Sequence, residues 1–209
     1  MSFWIQVVFI IILGIYSAVL FLVEITISQE YARNFFTDIE GPARFYAINT
    51  TLSMFLLWAT ALIFIVNLLL IQEHNQQKTE RNFYLSQIMI FGLLGFDDRF
   101  LVHEWFGNKL HIDDSLILFG ISLVQVIILV TWGRMFLRKP YIIYLGLGAI
   151  SFLIMVLVDG LFPDKMTGRL ALEDLAKTWG GAFLFLFAWQ ICIDKIDLLK
   201  RDSLEPHGG

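Results

Sequence analysis

From Phe3 to Val23 the chain carries no charged side chain, and apolar stretches of similar length recur along its whole course. An α-helix rises about 1.5 Å per residue, so some 20 residues cross the roughly 30 Å hydrocarbon core of a bilayer. Lipid offers no partner to backbone N–H and C=O groups, and a helix pairs them within itself. Six runs, near 3–28, 45–72, 83–105, 115–137, 141–162 and 170–196, therefore predict an all-α integral membrane protein, a bundle of six transmembrane helices. Composition agrees. Of 209 residues, 57% are hydrophobic and 16% charged, against roughly 45–50% and 25% in soluble domains. The first run lacks the basic flank of a signal peptide and exceeds a signal core in length, so it is expected to remain as a membrane helix. Residues 1–197 are then one six-helix domain and 198–209 a disordered cytoplasmic tail, with the lipid bilayer as the first partner.

An even number of spans puts both termini on one side. That side holds Lys78, Arg81, Arg134, Arg138, Lys139, Lys195, Lys200 and Arg201. The opposite loops hold Arg33, Arg44, Lys109, Lys165 and Arg169. Lys and Arg favour the cytoplasmic face, so both termini are expected inside. The single cysteine, Cys192, excludes an intrachain disulfide and a cysteine metal cluster. A net charge of −4 argues against nucleic acid as a partner.

The third run ends in Gly95-Phe96-Asp97-Asp98-Arg99-Phe100-Leu101-Val102-His103-Glu104-Trp105, five ionisable groups at the expected outer face. Acids gather at the same end of three other runs: Glu24 on the first, Asp159 on the fifth, Glu173 and Asp174 on the sixth. A charge at the centre of a span costs roughly 2.5–3.5 kcal/mol on insertion scales, and less near an interface. At about 100° per residue, Asp97 and Glu104 share a face, and Arg99 and His103 share one nearly opposite. Glu173, Asp174 and Lys177 fall within a similar arc, which Gly180 and Gly181 continue to a depth where small residues permit close helix contact. Only Arg99 and Lys177 are bases at this depth, so simple pairing leaves most of the acids to be hydrated, protonated or neutralised by a cation.

Three classes of function remain open on these residues. The acids form a wetted structural network, and the chain is an accessory or assembly subunit that meets a protein partner or a second copy. Alternatively, Asp97, His103, Glu104, Glu173 and Asp174 hold a divalent metal ion, since carboxylates with one imidazole suit zinc, manganese or iron. Glu104, Asp98, Asp159 and Lys177 are then the candidate catalytic groups of a metal-dependent membrane hydrolase, the ion activating water. Lastly, intramembrane Asp, Glu and His mark proton and cation pathways. The inner half, however, offers only Asn67, Ser86, Gln87 and Gln125 to continue such a route.

The paired segments Asp97-Asp98-x4-His103-Glu104 and Glu173-Asp174-x2-Lys177-x2-Gly180 resemble a group of uncharacterised bacterial polytopic membrane proteins. The similarity spans the third to sixth helices. It implies a multi-span architecture and a bacterial inner (plasma) membrane, and carries no activity with it. Alkaline-ceramidase-like membrane hydrolases hold zinc with several histidines. This chain departs from that pattern, with His103 as its one intramembrane histidine.

Overall fold

The structure, a computed structural model, describes residues 2–36, 47–71, 78–100, 102, 105, 109, 114–163 and 166–204. Among them lie seven helices and no strand: α1 (Ser2–Thr26), α2 (Gln29–Phe36), α3 (Ile48–Leu69), α4 (Lys78–Phe100), α5 (Asp114–Thr131), α6 (Ile142–Leu161) and α7 (Arg169–Leu204). The protein is all-α. Among the described residues, three helices are long and apolar enough to cross a membrane: α1 from Trp4, α3 and α6, with mean hydropathies of 2.7, 2.3 and 2.3.

The helix limits differ from the sequence expectation in four places. α2 forms between the first two expected spans. The Ser28 hydroxyl accepts the Tyr31 N–H at 3.0 Å, an N-cap, and Ala32 and Phe36, four apart, both bury. α4 starts at Lys78 rather than Phe83, because Glu80 in its first turn is buried against a partner described below. α5 stops at Thr131 rather than near Leu137. There the N–H groups of Trp132 and Gly133 both donate to the Ile128 carbonyl, and successive turns carry the chain to Tyr141. A side chain at Gly133 would put its Cβ 2.9 Å from the Phe83 ring. α7 runs on to Leu204, past the expected end near Ile196.

The chain divides into two compact units, Met1–Leu56 with Gly146–Phe183, and Leu57–Leu145 with Leu184–Gly209. The first has a core of Leu20, Ala32, Phe36, Leu170, Ala171 and Leu175, joining α1, α2 and the start of α7. Deeper along α7, the two adjacent glycines face different neighbours. A Cβ at Gly180 would lie 2.7 Å from the Phe152 ring, whereas one at Gly181 would meet Leu56 Cβ at 3.5 Å, ordinary contact. Gly180→Ala is therefore expected to destabilise by about 1–3 kcal/mol through overpacking. Gly181→Ala should be neutral, or stabilising by up to about 1 kcal/mol, because glycine is a poor helix former. Thermal unfolding of the two variants in detergent checks this, and equal shifts would refute the packing.

The second unit is held by aromatics. Phe64, fully buried, stacks on Phe91 at 5.9 Å and meets Phe83 edge-on at 5.9 Å. Phe136, from the turns after α5, packs on Phe83 at 4.8 Å, and Tyr141 lies edge-on to Phe187 at 5.9 Å. Gly95 gives the Trp58 ring its room: a Cβ there would overlap the indole.

Candidate functional site

The described members of the acidic constellation fall in both units. Asp97, Asp98 and Arg99 end α4 in the second unit, with Asp98 buried and the other two half-buried. Asp159 lies near the end of α6, and Glu173, Asp174 and Lys177 in the first turns of α7, all in the first unit. His103 and Glu104 lie outside the described residues.

Glu24 shows what the acids in the first unit do. Its side chain is 1% exposed. One carboxylate oxygen accepts the Gly168 N–H at 2.8 Å and the other the Ala171 N–H at 2.7 Å. The carbonyl of Gly168 accepts the Leu172 N–H, so Gly168 is the N-cap of α7 and Ala171 its third helical residue. A capping serine or aspartate would satisfy that N–H with its own side chain. Glycine has none, and its φ of 86° lies where other residues are strained. Glu24, reaching from α1, supplies the missing oxygen. A carboxylate is also the right charge for the positive end of a helix dipole.

Arg169, the first residue of α7, carries a second link. Its Nη2 donates to Asp159 Oδ1 at 2.8 Å and to the Asp159 carbonyl at 3.1 Å, and lies 3.7 Å from Glu173 Oε2. The guanidinium is 12% exposed, whereas the Asp159 carboxylate is 65% exposed. Three acids thus surround one helix start and one buried base, a local balance that pairing with Arg99 and Lys177 did not foresee. Below it, Asn49, 1% exposed, joins three helices. Its Oδ1 accepts from Tyr16 of α1 and Thr178 of α7, and its Nδ2 donates to the Asp174 carbonyl at 3.1 Å.

The second unit has polar groups of its own. Glu80 accepts from the Tyr84 hydroxyl at 2.6 Å and from Lys195 Nζ at 3.1 and 3.2 Å. Gln87 and Gln125 exchange amide hydrogen bonds of 2.8 and 3.2 Å. Asn67 is fully buried, and neither of its amide atoms has a partner among the described residues. No group of three or more His, Cys, Asp or Glu among the described residues is placed to hold a metal ion. Of the sequence-proposed ligands, that covers Asp97, Glu173 and Asp174.

Residues 5–191 match the family described as a domain of unknown function, DUF8692. The chain belongs to that family. No curated protein and no solved structure matches it. The DUF8692 match takes in Glu24, Asn49, Glu80, Asp159, Arg169 and Glu173, and stops before Lys195.

The sequence reading places Glu24, Asp159 and Glu173 in the acidic constellation, but puts Arg169 only among the loop bases and does not single out Glu80. Arg169 sits among loop residues in the sequence, and only the start of α7 there makes it a helix-terminal base. Glu80 had a legible signal. With Tyr84, Gln87, Phe91, Gly95 and Asp98 it forms a buried stripe at steps of three and four along α4.

Proposed function

We propose that this is a six-span membrane protein with both termini cytoplasmic, and that its acid-rich outer end is a structural framework in a non-catalytic accessory subunit of a membrane assembly. The observation that carries this reading is the use of both Glu24 oxygens to cap α7, beside the Arg169 link to Asp159 and Glu173. Glu24 braces the start of α7, and Asp159 and Glu173 are held by Arg169 beside it. The membrane reading draws on α1, α3 and α6, whose lengths and apolarity suit a span. It draws also on large aliphatics held outward, such as Ile12, Ile15, Leu153 and Leu161. α4, α5 and α7 join them to make six, with uncharged stretches at 82–96, 115–131 and 178–193.

One observation favours a second reading, a proton or cation pathway: Glu80, Tyr84, Gln87 and Asp98 lie on the buried face of α4. Between Gln87 and Asp98, however, that face spans about 16 Å at helical rise and offers only Phe91 and Gly95, packed by Phe64 and Trp58. An aromatic layer interrupts the polar groups, so the framework is preferred.

Reconstitution separates the two. Proteoliposomes holding a pH-sensitive dye should leak protons no faster than empty vesicles, and single cysteines at Asn75 and Asn108 in whole cells should react with an impermeant maleimide only at Asn108. A proton flux abolished by Gln87→Leu would replace the framework by the pathway. Outside labelling at Asn75 would reverse the orientation.

A further inference from the structure

The first unit carries a groove of about 440 Å³ between α1, α6 and α7, running along α7 from Leu172 to Phe183. We propose that it is a resident lipid site that holds one acyl chain of a phospholipid from the leaflet at the α7 N-terminal side. This rests on the reading of α1 and α6 as membrane spans.

Length, volume and chemistry agree on the occupant. From Leu172 to Phe183 a helix rises about 16 Å, close to the roughly 15 Å of one leaflet's hydrocarbon. The lining is almost wholly apolar, and its space comes from small side chains, Ser17, Ala18, Ser151 and Ala176. Its polar groups are turned on one another: Trp179 Nε1 donates to Ser17 Oγ at 3.0 Å, and Ser17 donates to the Leu13 carbonyl at 2.8 Å. A polar ligand would find little to bind. A transmembrane helix is also a poor occupant, since one about 10 Å across would need more than about 1,000 Å³ over this length. A polymethylene chain, about 4 Å across at carbon contact distance, needs roughly 200–300 Å³ and fits with room to move. Between hydrocarbon surroundings there is no hydrophobic gain, so retention comes from packing against a concave wall.

The test uses the full chain in phosphatidylcholine vesicles containing a phospholipid with a diazirine near the middle of one acyl chain. After photolysis, the label, placed at single residues, should fall on Ala18, Ser151 and Ala176 above the outward-facing Leu153 and Leu157. Ala176→Phe, which fills the groove, should reduce that excess to the level of the outward stretch, and Ala18→Leu, filling it from another helix, should do the same if Ala176→Phe does not fold. Three results would overturn the proposal: even labelling of groove and outward faces, an excess unchanged in the filled variants, or disulfide-linked dimers through Ala176→Cys. If instead the chain is extracted from membranes by carbonate, the spanning reading fails and the groove is not in lipid at all.

Discussion

Replacing Glu24 with alanine is expected to destabilise the protein by about 2–4 kcal/mol, because two N–H groups at the start of α7, the buried one of Ala171 and the partly buried one of Gly168, lose their acceptor together. Loss of a side-chain cap alone costs about 0.5–2 kcal/mol. Here the loss is larger because one carboxylate serves two donors, and the Ala171 N–H is buried. Glutamine keeps one acceptor oxygen and presents an NH2 group to the other donor. Glu24→Gln should therefore fall between alanine and wild type. Thermal unfolding in detergent orders the three. If both variants unfold with the wild type, Glu24 does not cap α7.

The second large effect lies in the second unit, at Glu80 and Lys195. Their side chains are 9% and 14% exposed, and the Tyr84 hydroxyl adds a third contact. Removing one member of a buried pair leaves the other charged and uncompensated, at about 3–5 kcal/mol. Lys195→Met should show this in full, with Glu80 left to Tyr84 alone. Glu80→Leu should show it too, with the ammonium stranded. The double variant Glu80→Leu/Lys195→Met removes both charges, and buried pairs replaced by apolar residues are often no less stable. It is expected to unfold closer to the wild type than either single variant does. Additive losses in the double variant would mean the pair is not coupled.

What the sequence made legible follows from how far each signal travels along the chain. Apolar length is a local property, so α1, α3 and α6 emerge in nearly the positions that their composition indicates. Helix ends are set by contacts between distant residues, and there the sequence is mute. α4 reaches back to Lys78 because Lys195 waits for Glu80, 115 residues away. Glu24 looked like excess charge because its partners are backbone N–H groups 144 and 147 residues on, and a backbone donor leaves no mark in a list of side chains. Gly168 was the one written clue, a glycine before a helix start with no capping oxygen of its own. Of the two glycines of α7 expected to permit close contact, Gly180 has the tight neighbour, the Phe152 ring, whereas Gly181 meets Leu56 at an ordinary distance.

The framework claim is tested most directly by metal content and stability measured together on purified protein. Elemental analysis of the wild type should find no stoichiometric divalent metal. Glu173→Gln, which weakens the Arg169 contact, should lower the unfolding temperature without altering that result. A metal ion at one per chain, lost in both Glu104→Gln and Glu173→Gln while unfolding temperature holds, would contradict the framework and assign the acids to a metal centre.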